Sequence, residues 1–174
     1  MASLTWLGHA SFRLDTSDGK RFYVDPFPSG PTWPDAERSP ERADAIAVTH
    51  GHGDHSADVP GLQQTLGCPV LGMVELMGWY SANGIDEANL IAFNKGGTVE
   101  VAGARFTMTN AFHSSSAPDG SYAGEAAGFC QHLVDHLFVE VAVKPFRQRG
   151  FQAGGVFERK SDVGEGRAVG HGSS

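Results

Sequence analysis

Cysteine is almost missing: the 174 residues hold two, Cys68 and Cys130, far apart and without a CxxC spacing. That excludes a disulfide framework and a zinc ribbon, and it leaves both side chains as reduced thiols. Long hydrophobic runs are also lacking. No apolar stretch approaches the roughly 18 residues of a membrane span. The start, MASLTWLGHASF, has neither the basic region nor the apolar core of a secretory leader. A soluble cytoplasmic protein is expected. The third deficit is positive charge. Thirteen Lys and Arg stand against 20 Asp and Glu, a formal net charge of -7 with a pI near 5.5. With no dense basic cluster to override it, this charge repels a phosphate backbone. Nucleic acid and membrane are therefore not expected partners, whereas a small-molecule substrate of either charge and a homo-oligomer stay open.

What is present is enough for one buried core: 40% of the residues are hydrophobic. Short alternating bursts at Leu4 to Leu7, Ser11 to Leu14 and Phe22 to Val24, with the turn pair Asp18-Gly19, predict an antiparallel meander. Residues 26–44 hold Pro26, Pro28, Pro31, Pro34 and Pro40, which forbid a regular ladder and predict a surface loop able to lie over a site. Ala45 to Val48 reads as a buried strand, and Asp58 as the cap of a helix running through Gly61, Leu62 and Leu66. The order continues with a strand at Pro69 to Leu71 and a helix at Val74 to Ala82, stopped by Asn83-Gly84. Strands follow at Ile91 to Phe93, Thr98 to Val101 and Arg105 to Asn110. The class is α/β (α+β), with strands leading.

The chemistry is concentrated in His50-Gly51-His52-Gly53-Asp54-His55, four metal-ligand side chains within six residues at the end of an apolar strand. Imidazoles and a carboxylate suit zinc, manganese or iron, and alternating them lets neighbours face two different ions, so a dinuclear site is expected. The glycines between them let the backbone fold tightly. His113 follows a strand and precedes Ser114, Ser115 and Ser116, a polar loop that gives a histidine no packing role. It is the candidate third ligand. Trp6, Trp33 and Trp79 are expected in packing, and Glu75 in solvent. His132, Asp135 and His136 have a spacing that shares one helical face, without further pattern around them.

The segments TWLGHASF, VDPF, VTHGHGDH, NKGGTVEV and NAFHSSS, in this order, resemble the metal-dependent hydrolase branch of the metallo-β-lactamase superfamily, near ascorbate-6-phosphate lactonase. The likeness runs over about residues 3–129. It implies an αββα sandwich in which His50, His52 and His113 hold one metal and Asp54 and His55 contribute to a second. Zn2+ is the expected ion, with Mn2+ or Fe2+ as alternatives. Asp54 is also the expected catalytic residue, accepting a hydrogen bond from a metal-activated hydroxide that attacks a small ester, lactone or phosphoester. Asp25 matches an acidic residue that orients a liganding imidazole, or else it is a turn aspartate before Pro26. His9 lies near the pocket, or else it is a satisfied core histidine.

The branch continues with an HAGDT-like segment, whose aspartate bridges the metals, and with a later histidine. Neither occurs in this sequence. The expectation is a hydrolase domain over 1–129 and an atypical tail over 130–174, from a reading frame truncated, shifted or joined to foreign sequence. The alternative function is a catalytically incomplete fragment or a metal-binding protein without turnover.

Overall fold

The computed structural model describes residues 2–132, 137–141 and 157–160. Ser3–Trp6 (β1), Phe12–Asp15 (β2) and Arg21–Val24 (β3) pair antiparallel, as the alternating bursts predict. Gly19 turns β2 into β3 with φ 85°, a conformation that costs glycine little.

The sheet then changes direction. Ala45–Val48 (β4), Val70–Met73 (β5) and Leu90–Phe93 (β6) follow β3 in parallel. All four residues of β4 and all four of β5 are buried. Strands covered on both faces need apolar side chains throughout, which is why AIAV and VLGM do not alternate.

The crossovers are helical. Gly53–Ser56 (α1) and Val59–Leu66 (α2) join β4 to β5, and Val74–Ala82 (α3) joins β5 to β6. Val59, Leu76, Met77 and Tyr80 are buried in the core. Asp58 occupies the position before α2, but its side chain caps nothing there. Its Oδ2 accepts instead from the Ser29 backbone N–H at 2.8 Å, so this carboxylate ties the proline-rich loop to the helix start.

Thr98–Val101 (β7), Ala104–Asn110 (β8), Ala127–His132 (β9), Leu137–Val141 (β10) and Phe157–Lys160 (β11) form a second, antiparallel sheet in the order β11-β10-β9-β8-β7. β8 buries Ala104, Phe106 and Met108 and turns Arg105, Thr107 and Thr109 outward. The inner face packs on the first sheet through Phe22 and Phe106, with rings 5.3 Å apart, and through Phe93 and Phe129 at 6.1 Å. Helices, first sheet and second sheet thus make three of the four layers of an αββα sandwich; among the described residues no helix covers the outer face of the second sheet. No helix among them is long and apolar enough to cross a membrane.

His132 ends a strand, not a helix, so the helical face suggested by its spacing does not form at that residue. Asp135 and His136 lie outside the described residues, as does most of the expected 130–174 tail. β9 runs through the 129/130 boundary.

Candidate metal centre

The parallel strands set the site. β3 and β4 lie side by side with Val24 opposite Ala47, so the residues that follow them, Asp25 and Thr49-His50, emerge together at the carboxyl edge of the sheet. This is where open α/β sheets collect their ligands. Asp25 turns there with φ 47°, and His9, between β1 and β2, with φ 48°. Left-handed backbone outside glycine is uncommon and gathers at functional sites.

Asp25 is 1% exposed and fully engaged. Its Oδ1 accepts from the Thr49 backbone N–H at 2.7 Å, and its Oδ2 from the Thr49 hydroxyl at 2.5 Å. The same Oδ2 lies 2.8 Å from Nδ1 of His55. The carboxylate therefore orients a candidate ligand imidazole, and it is more than a turn residue before Pro26.

These contacts fix where the protons sit. The Thr49 hydroxyl has one hydrogen and gives it to Asp25, so towards Nδ1 of His50, 3.0 Å away, it can only accept. His50 must then carry its proton on Nδ1 and present a bare Nε2. Neutral His55 likewise keeps its proton on Nδ1, against Asp25, and presents Nε2. Both lone pairs face the cleft.

Nε2 of His50 lies 3.1 Å from Nδ1 of His52. The His113 ring stands 4.9 Å from that of His50 and 5.3 Å from that of His52, centre to centre. One nitrogen from each of the three falls within 4.8 Å of the others. Ligands 2.0–2.1 Å from a tetrahedral ion are about 3.3 Å apart, so this set is close to holding one. A second group, His9, Asp54 and His55, converges within the same limit. Nε2 of His9 is buried and lacks an aligned hydrogen-bond partner, although Oδ2 of Asp54 is 2.9 Å away. A buried nitrogen without a hydrogen bond beside a carboxylate is what a cation would satisfy.

The electrostatics agree with cation binding. Burial, together with the neighbouring His55, drives the pKa of His50 down to about 3, so it is a neutral donor at pH 7. His113 is lowered by burial and by His52 and His55. His55 moves up: burial opposes its charge, but Asp25 and Asp54 outweigh it. The negative field that favours a proton there favours a metal as well. Burial raises Asp54, yet His55, a backbone N–H and His9 outweigh it, and the carboxyl is held below its ordinary value.

His113 is delivered by residues 111–126, a long connection between β8 and β9 that is tied at several points. Gly51 N–H donates to Ser115 Oγ at 3.2 Å, Trp79 Nε1 to Asp119 Oδ2 at 2.9 Å, and Lys95 Nζ to Glu125 Oε2 at 2.7 Å. Ala127 N–H donates to Thr49 O at 3.0 Å. Gly51 is needed for this approach: a Cβ there would sit 2.6 Å from Ser116 O and 2.7 Å from Ala123 Cβ. Gly53 is different, since its Cβ would meet nothing closer than 4.0 Å. Of the two glycines in the motif, only Gly51 is sterically required.

The proline-rich loop flanks the opposite side. Trp33 is buried on Tyr23, and Thr32 O would lie 2.4 Å from a Cβ on Gly8, the residue before His9. Trp6 is not buried in packing; it is 55% exposed, and its indole N–H donates to His9 O at 2.9 Å. Glu75 is exposed as expected. Sequence reasoning assigned no role to Thr49 and placed Ser115 only in the polar loop after His113. The signal for Thr49 was its place directly before His50, where a hydroxyl reaches both Asp25 and the imidazole.

Comparison with known proteins agrees with this geometry. Residues 20–132 match the family described as the beta-lactamase superfamily domain. A UPF0173 metal-dependent hydrolase of Herpetosiphon aurantiacus is 45% identical over 142 residues, covering 79% of this chain and 59% of the relative. Another from Roseiflexus castenholzii is 40% identical over 134 residues, covering 73% and 55%. The chain thus spans less than two thirds of the length of these relatives. In fold it is similar to Igni18, a metallo hydrolase from Ignicoccus hospitalis, with a TM-score of 0.63 at 24% identity over 75% of this chain and 55% of that one. A possible metal-dependent hydrolase from Veillonella parvula gives 0.58 at 19% identity, over 82% and 62%. With a family match over 20–132 and overlapping groups of metal-ligand side chains gathered around His50 and His55, the chain belongs to the metallo-β-lactamase superfamily.

Proposed function

We propose that this protein is a hydrolase of a small ester, lactone or phosphoester that works with two divalent ions, zinc in the first place and manganese or iron as alternatives. The observation that carries the reading is the Asp25-Thr49 network, which leaves Nε2 of both His50 and His55 bare and aimed at two adjacent ligand groups. The relatives' name, metal-dependent hydrolase, supports it.

His50, His52 and His113 would hold one ion, and Asp54 and His55 would contribute to the other. Ions bound there supply a nucleophile at neutral pH by lowering the pKa of water, and they polarise the bond under attack. The protein's own part is to keep this machinery aligned. Asp25 fixes His55, Thr49 fixes His50, and the ionised Asp54, 45% exposed at its side chain, offers an acceptor that orients the attacking water. Burial of His50 and His55 keeps bulk water from competing for their lone pairs.

The test is elemental analysis of protein purified without added metal, joined to an assay against nitrophenyl esters, lactones and phosphoesters. Two ions with turnover are expected. One tight ion without turnover would make it a metal-binding protein, and no bound ion would refute the reading.

A further inference from the structure

We infer that His9 is a ligand of the second cation, closing with Asp54 and His55 a site of two imidazoles and one carboxylate. The inference rests on the two-ion reading above and adds to it a residue from the first hairpin.

Three independent features of His9 converge. The first is position: Nε2 stands 2.9 Å from Asp54 Oδ2, which itself lies 3.9 Å from Nε2 of His55, and the His9 and His55 rings are 5.3 Å apart. One ligand atom from each of the three lies within 4.8 Å of the others. The second is an unmet requirement. Nε2 of His9 is shielded from solvent, and its N–H direction is not aligned on the carboxylate. As a plain histidine-aspartate hydrogen bond the contact would be weakened by that misalignment. A shared cation needs the distance without that alignment.

The third feature is backbone built for the purpose. His9 holds a left-handed φ of 48°. Gly8 precedes it at φ 92° and packs so closely on Thr32 that no side chain fits. Leu7 N–H to Ser11 O and Ser11 N–H to Gly8 O, each 2.9 Å, close the turn, and the Trp6 indole holds His9 O. A strained residue locked from three sides, with its imidazole turned into the cleft, is a costly way to place a histidine that only fills space. On the far side of the site, Asp25 locks His55 by Nδ1. Of the three, Asp54 is the most exposed, at 45% of its side chain.

Two imidazoles and a carboxylate suit zinc or ferrous iron, and they leave positions open for water. Filling the site would also tether the β1-β2 turn to the β4-α1 motif. The first sheet's hairpin edge would then be held to its catalytic end by the metal itself.

The experiment is Zn2+ titration of the full chain against a chromophoric chelator, comparing the parent with His9→Asn and His52→Ala. Asparagine tolerates left-handed backbone, so His9→Asn keeps the turn while removing the imidazole. The parent should bind two ions, and His9→Asn should keep the first affinity within twofold and weaken the second at least 100-fold. Even outer hydrogen-bond partners of a ligand are worth 10–100-fold in metal affinity. A readout without mutation is amide exchange of the parent: the second equivalent of Zn2+ should slow exchange over residues 7–11. Unchanged second affinity in His9→Asn, with no slowing in the parent, overturns the role of His9 while leaving the two-ion reading standing. If the parent binds one ion, lost in His52→Ala and indifferent to His9→Asn, the second site itself is refuted. A parent that binds none refutes both.

Discussion

Asp25 Oδ2 and His55 Nδ1 stand 2.8 Å apart at the centre of a buried network that reaches both ligand groups. Because the same carboxylate also engages the Thr49 N–H and hydroxyl, one residue decides which nitrogen is bare on two histidines.

Asp25→Asn removes the charge and turns one acceptor into a donor. The His55 ring should lose its fixed orientation, with second-site metal affinity falling 10–100-fold. Thermal unfolding should show a loss of about 1–3 kcal/mol from the unmatched buried polar groups. Chelator competition and calorimetry check the two effects, and unchanged metal affinity would remove Asp25 from the network's function.

Gly51→Ala introduces a methyl group where Ser116 O and Ala123 Cβ leave no room. The loop carrying His113 must retreat, so we expect a cost of about 1–3 kcal/mol and weaker binding of the first ion. Gly53→Ala is the control, since its surroundings are open and it lies in α1. Equal stability and metal content in the two variants would show that the close approach at Gly51 does not matter.

Asp54→Asn keeps shape and removes the acceptor charge. Turnover on any substrate found for the parent should fall about 10²–10⁴-fold, the range for loss of a positioned acid-base group. The first ion, which His50, His52 and His113 would hold, should stay bound. Steady-state kinetics and elemental analysis separate these outcomes; a near-parental rate would refute the role.

Cys68 is 4% exposed, and burial pushes its thiol up to about 11 from an ordinary 9.0. A raised folded pKa means that the neutral thiol is favoured in the fold; its contribution is full below pH 9 and is lost as pH rises through about 11. Alkylation of the native protein at pH 8, followed by peptide mass mapping, should leave Cys68 unlabelled, with labelling rising only on unfolding or in strong alkali. Rapid native labelling at pH 8 would contradict the burial.

Several features were determined by the sequence alone. Alternation in the first 24 residues announced the antiparallel meander, and the apolar run AIAV a buried strand, since side-chain period follows directly from which faces are covered; that the sheet turns parallel after β3 shows only in the fold. Four ligand-type side chains within six residues announced the metal motif, because such density has no packing explanation. Tertiary structure decided the rest. That Asp58 would serve Ser29 and not its own helix depends on a loop folded back across 29 residues, which no local pattern encodes. The placement of Thr49 and Asp25 arises from the parallel register of β3 and β4, and that of His113 from a loop pinned to Gly51 and Lys95. His9 and Asp54 are 45 positions apart in the sequence and 2.9 Å apart in the fold. Residue type reveals what a side chain can donate or accept, but its partner is chosen only when distant strand ends are brought to one edge.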